Sequence, residues 1–351
     1  MKKLFLLAAV CAVGLSSCSK NENGNDNPPP GTLTFEITAV NTIGTRANLY
    51  SQEAIHEVER VSVYVFKETG SDFIYLKTFD MPSWAKGSNF KRLDVPTEDM
   101  VPQGKYKFLA VGRDLTDNFT LPELTGLNYN NFLASVSAAG RETEIFAGTK
   151  EATVASQGMR IPISITRQVA GVLGYFKNVP ADIEGSVVRY LRLTISNSNT
   201  NVNLTTGAGT VPTGTGYNLI NVDFDGVTVN QDGAYVGNTN DLSALGIITL
   251  PNSQLNGAFV IPVNAVTLTL GLYDEGGAPL KTWTVLNETT ATSYNIQANH
   301  FYALGTKVSN GSTGGTPEDP TPDNPIDLMK DQAITVTITP NWTQIHNMTL
   351  Q

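Results

Sequence analysis

The sequence predicts an all-β protein built as two β-sandwiches in tandem, and three observations carry that prediction. Short runs that alternate apolar and polar residues recur along the chain, separated by turn signals. Charged residues make up only 16% of the 351 positions, while Thr, Asn, Gly, Val and Ser abound; β-branched residues suit pleated, half-buried surfaces. Helical periodicity is weak throughout, with single turns expected only at 52–58 and 129–137.

The chain opens with an export signal. Lys2 and Lys3 precede a mostly apolar run over 4–15, too short to span a bilayer and of the length of a signal-peptide core. Leu15-Ser16-Ser17-Cys18 comes next in the order apolar, small, small, cysteine, so 1–17 is expected to be removed and Cys18 to carry lipid. Residues 19–31, with Pro28-Pro29-Pro30, are polar and hold too little apolar surface to fold; they are expected to form a tether.

The first strand is expected at 33–39, with Leu33, Phe35, Ile37 and Ala39 on one face. The connection after it contains Gly44-Thr45-Arg46-Ala47. From the residues alone Arg46 is an ordinary loop arginine, although small and polar surroundings are also where proteases cut. Further strands are expected at 61–67, at 73–79 after the Gly70-Ser71-Asp72 turn, and at 106–111, an apolar run suited to a sheet buried on both faces. Pro162 places 160–166 at an edge or bulge. Strands 161–165 and 169–176 succeed each other almost without a loop, so the domain boundary is set at Arg167, giving sandwiches over 47–167 and 168–351.

In the second half, strands are expected at 187–196, 246–250, 258–263, 266–273, 280–286 and 301–308, with a turn at Tyr273-Asp274-Glu275-Gly276-Gly277. Residues 310–327, rich in Gly, Pro, Thr and Asp, are expected to form a flexible loop. The tail alternates cleanly again: Ile334, Val336, Ile338, Pro340, Trp342, Met348 and Leu350 share one register. Such a strand either completes its own domain's sheet or adds to the sheet of another subunit.

Composition excludes several functions. The net charge of -9 becomes more negative once Lys2 and Lys3 leave, which argues against nucleic acid as a partner. With Cys11 in the signal and Cys18 lipidated, no thiol remains for a disulfide, nucleophile or metal site. His56, His300 and His346 lack metal-ligand spacing, and Asp223-Phe224-Asp225-Gly226 lacks the ligand order of a calcium loop and is expected to be a turn. No phosphate loop or nucleophile elbow is present, so no catalytic residue, metal or cofactor is expected.

Taken in order, the lipid signal at Leu15 to Cys18, the strand before Thr45-Arg46-Ala47, the run 61–66, the Ile165-Thr166-Arg167-Gln168-Val169-Ala170 junction and the tail from Ile334 to Trp342 resemble the fimbrillins, the type V pilin subunits of Bacteroidales. The resemblance implies two transthyretin-like sandwiches and a lipoprotein precursor at the outer membrane. It implies an arginine-specific protease as a partner, cutting between Arg46 and Ala47 and removing 18–46 with the first strand. Other pilin subunits would then polymerise by strand exchange into adhesive fimbriae, with Ile334, Val336, Ile338, Trp342, Met348 and Leu350 as donor-strand residues. A tip or accessory subunit is the alternative within that family. Outside it, the alternative is a surface lipoprotein that binds glycan on Trp84, Trp283 or Trp342; core packing of the tryptophans is the simpler reading.

Overall fold

The computed structural model describes residues 32–39, 49, 58–81, 84, 90–155, 158–237, 242, 247–287, 289–307, 323–330 and 332–342. These residues form an all-β molecule with two short 3-10 turns, Thr97–Asp99 and Tyr129–Asn131.

The strands fall into four layers. The first contains Phe90–Val95, Leu33–Ala39 and Met159–Arg167, in that order. The second runs Asp72–Asp80, Arg60–Thr69, Gly104–Arg113, Ile145–Val154. The two are continuous, because the end of Met159–Arg167 crosses over and pairs Thr166 and Arg167 with Ala147 and Phe146. Pro162 lies on the stretch of that strand with a strand partner on one side only, where its missing N–H costs no ladder bond. The third layer runs Ser253–Val260, Ala170–Lys177, Phe301–Leu304, Thr337–Thr339. The fourth runs Tyr217–Asp223, Tyr190–Ile195, Leu268–Tyr273, Pro279–Val285.

Three apolar cores lie between them. Layers one and two enclose the first, containing Phe35, Val63, Phe108 and Ile163. Layers three and four enclose another, containing Val172, Leu193, Leu270 and Tyr302. The third core joins layers two and three, and holds Phe66, Leu109, Phe132, Leu173, Phe259 and Trp342. Strands of the inner layers are therefore buried on both faces. In Gly104–Arg113, Tyr106, Phe108 and Ala110 enter the first core while Leu109 and Val111 enter the shared one. In Ala170–Lys177, Val172 and Phe176 face one way, Leu173 and Tyr175 the other. Both strands accordingly have nearly unbroken apolar sequences.

Several expected strands are redrawn. The run 187–196 divides into Ser186–Val187 and Tyr190–Ile195. Residues 247–250 form no strand, although Ile247 is buried in the shared core. The tail alternation yields only Thr337–Thr339 as strand, because the chain first runs beside Leu286, bonding through Ile334 and Val336, before reaching Phe301–Leu304. The expected single turn within 129–137 is present as the 3-10 turn Tyr129–Asn131 and is followed by strand Leu133–Ser135, which pairs with Asn199–Asn203. Residues 52–57 and 308–322 lie outside the described residues. Lys307 and Asp323, on either side of the latter stretch, form a fully buried ion pair at 3.1 Å.

Candidate functional site

The first strand is held from both sides. Leu33–Ala39 runs parallel to Met159–Arg167 and antiparallel to Phe90–Val95. Its alternation aims Leu33, Phe35, Ile37 and Ala39 into the first core, each at 0–1% exposure. The Phe35 ring meets those of Phe79 and Phe108, both at 5.4 Å between centroids. Each large side chain so buried is worth about 1.5–3 kcal/mol. On its outer side the Thr34 hydroxyl donates to Asp94 at 2.6 Å, and Glu36 pairs with Arg160 at 3.7 Å. Cys18, Arg46 and Ala47 lie outside the described residues.

The chain is next described at Leu49, which sits in the shared core rather than in the first sandwich. There it crosses the face of the third layer over two glycines. A Cβ on Gly257 would strike the Leu49 carbonyl, and one on Gly171 would come within 2.7 Å of the Trp342 ring. By Val58 the chain is back in the first core.

The tail reaches the same place from the other end. Ile334 and Val336 are buried in the second sandwich's own core, and Ile338 packs against it half-buried. Trp342 is 1% exposed in the shared core. Its backbone N–H donates to the Asn299 carbonyl at 2.6 Å and its carbonyl accepts from Arg167 Nη1 at 3.2 Å. The Arg167 guanidinium lies 4.0 Å from the Trp342 ring and donates through Nε to Glu144 Oε1 at 2.6 Å. Gln168 completes the junction, donating to the Ala147 and Thr166 carbonyls. Of the expected donor residues, these four therefore occupy places in or against the chain's own cores, while Met348 and Leu350 lie outside the described residues. The Arg167–Glu144–Trp342 lock was not anticipated from sequence; the adjacency of an arginine to a strand-to-strand junction was the only local sign of it.

Nothing assembles into a catalytic constellation among the described residues, and no cluster there could hold a metal ion. His300 Nδ1 faces the Ala298 carbonyl at 2.9 Å, while His56 and His346 lie outside the described residues. A depression of about 610 Å³ beside it has a mixed lining that includes Tyr294, Gln297, His300, Tyr302, Ile338 and Pro340, with no carboxylate. Burial raises the pKa of the Tyr294 hydroxyl, which has no hydrogen-bond partner. Glu142 is a second isolated group, 8% exposed, its carboxylate oxygens making no hydrogen bond of normal geometry. Burial lifts its pKa to about 7, against a partial pull downward from nearby backbone N–H groups and the Tyr217 hydroxyl. Asp223 ends strand Tyr217–Asp223, Asp225 lies in the turn that follows, and both are bound by Arg189, at 2.7 and 2.5 Å. The tryptophan platform is not realised at two of its positions: Trp84 and Trp342 are 5% and 1% exposed. Trp283 packs half-buried against the second core under Lys281.

The sequence matches the family of fimbrillin-A associated anchor proteins Mfa1 and Mfa2 over residues 25–347. The chain belongs to this family. For this fimbrillin-associated protein, the match spans both sandwiches and the whole first strand. Solved structures similar to it include the fimbrial anchor protein Mfa2 from Porphyromonas gingivalis, at 12% identity and a TM-score of 0.44, covering 88% of this chain and 97% of that one. A fimbrilin, FimA, from Porphyromonas gingivalis is similar at 14% identity and a TM-score of 0.41, covering 90% and 98%. A candidate cell adhesion protein from Parabacteroides distasonis is similar at 14% identity and a TM-score of 0.47, covering 91% and 99%. A comparison with curated proteins found no match.

Proposed function

We propose that this chain is a fimbrial subunit of the bacterial surface, exported as a lipoprotein through Cys18. In this reading Leu33–Ala39 fills a groove that a strand from another subunit can take over. One observation carries the reading: four consecutive inward side chains of the first strand are fully buried between two strands of its sandwich. Removing that strand would uncover an apolar trough and two rows of unpaired amides together, and a single incoming strand would satisfy both. Cleavage between Arg46 and Ala47 would free the strand from the body of the protein. Because Ile334, Val336 and Trp342 are engaged in the chain's own cores, the donated segment in this reading lies beyond Trp342, with Met348 and Leu350 as its apolar residues.

The test is to treat the purified precursor with an arginine-specific protease, sequence the new N-terminus, and run the product unboiled on a denaturing gel. A terminus at Ala47 with a ladder of bands supports the proposal. Resistance at Arg46, or cleavage without assembly, overturns its strand-exchange part.

A second reading is a subunit that keeps its lipid and anchors the fibre. The lock on Trp342 favours it, since it holds one of the expected donor residues in the molecule's own shared core, and the family's description as anchor proteins agrees with it. Mass spectrometry of the surface-extracted protein distinguishes the two: an acylated Cys18 on assembled protein supports the anchor, and its loss supports the cleaved subunit.

A further inference from the structure

The outer face of the fourth layer carries a feature that the packing of the two sandwiches does not use. Along Tyr190–Ile195, Leu191, Leu193 and Ile195 turn inward at 0% exposure, so Tyr190, Arg192 and Thr194 turn out. Cross-strand register sets Tyr273 beside Tyr190 and Gly271 beside Arg192. On the other side Arg192 faces Asn221. The Arg192 guanidinium lies 4.2 Å from the Tyr190 ring centroid and 5.1 Å from that of Tyr273. Gly271 makes this possible, because a Cβ there would stand 2.7 Å from the Tyr273 ring and push it off the sheet.

The charge of Arg192 is unusual in an acidic chain. The nearby carboxylates of Asp223 and Asp225 are both taken by Arg189. Arg192 donates through Nε to the neutral Asn221 amide at 2.9 Å, and among the described residues it has no carboxylate partner. Its guanidinium is held by two half-buried rings and an amide, with its terminal nitrogens uncommitted. Thr194, Thr269, Thr282 and Thr284 share the same face, and supply hydroxyls around it.

We infer that this face binds an acidic polysaccharide, a chain of sugar rings bearing carboxylates. A guanidinium fork matches a carboxylate in a bidentate way. Its rigid mounting means little entropy is lost on binding. Aromatic rings and a rim of threonine hydroxyls and an asparagine amide suit the alternating apolar and hydroxyl faces of sugars. The charge complementarity selects an acidic chain over a neutral one.

The experiment is affinity electrophoresis of the full purified protein through gels containing polygalacturonate, neutral dextran or polyglutamate. Wild-type protein is expected to be retarded by polygalacturonate alone, with retardation falling as salt rises. Arg192→Gln is expected to weaken binding about tenfold or more, the usual worth of a charged hydrogen-bonded contact. Arg192→Lys is expected to lose most of the affinity, because the point charge lacks the fork, and Gly271→Ala should weaken binding with the arginine intact by displacing Tyr273. Unchanged melting temperatures of the two arginine variants, whose side chain is only half-buried, separate loss of binding from loss of fold. Absence of retardation by polygalacturonate, equal retardation by polyglutamate or dextran, or undiminished binding by Arg192→Gln would each overturn the inference.

Discussion

At the scale of single residues, the two buried acids on the loop before Ile145–Val154 have opposite fates. Glu144 is neutralised by Arg167 at 2.6 Å, in contact with Trp342 and Phe146. Arg167→Ala would leave a 7%-exposed carboxylate without its cation, and the expected cost is about 3–5 kcal/mol, measured by urea denaturation. Trp342→Ala should lose a similar amount, about 3–5 kcal/mol, from its cavity alone. Glu142 has no cation at all among its described contacts. Its folded pKa is raised from 4.5 to about 7, so between those values the folded state binds more protons than the unfolded one. Stability therefore falls as pH rises through that window. Glu142→Gln should flatten this dependence and stabilise the protein at pH 8 by about 1–3 kcal/mol, leaving it little changed at pH 4. Equal slopes of melting temperature against pH in both proteins would refute this assignment.

At the scale of elements, the first strand is the one on which most depends. Ile37→Asp would place a charge at a fully buried position of the first core, and should prevent the first sandwich from forming; loss of near-ultraviolet dichroism is the readout. Phe35→Ala should cost about 3–5 kcal/mol, whereas Thr38→Ala, on an exposed position of the same strand, should be close to neutral. That strand was legible in the sequence because its alternation is complete and its residues are β-formers. The inner strands were legible for the opposite reason, since two buried faces make a continuous apolar run. Strands that were not expected lack either pattern. Phe90–Val95 exposes its phenylalanine at 41% and carries Lys91, Arg92 and Asp94. Ile145–Val154 starts apolar but continues through Gly148 into Thr149, Lys150 and Glu151, all three exposed. The Tyr190–Arg192–Tyr273 cluster was invisible as a unit, because its members come from strands about eighty residues apart, joined only by register. Core packing, the simpler reading of the tryptophans, is what Trp84 and Trp342 show, at 5% and 1% exposure.

At the scale of the whole molecule, the shared core decides how the sandwiches behave. It takes side chains from layers two and three, from Leu49 between the first and second strands, and from Trp342 in the tail. Two domains linked only by a tether would melt separately. Here, loss of either sandwich exposes Phe66, Leu109, Leu173 and Phe259, so the two are coupled. Calorimetry should show a single transition with matching calorimetric and van't Hoff enthalpies, and Trp342→Ala should lower its midpoint without splitting it. Two well-separated transitions would contradict this coupling.

The placement of Leu33–Ala39 also has a mechanical meaning. Residues preceding Leu33 lead towards the cysteine proposed to carry lipid, so a pull on that side enters the molecule at the strand's end. Six register pairs hold the strand on one flank and seven on the other. A load directed along its axis shears both ladders at once, and all those pairs share it, whereas a sideways load would peel them one after another. A surface protein tethered through this strand would grip hardest under the drag of flow and yield most readily to a blow from the side.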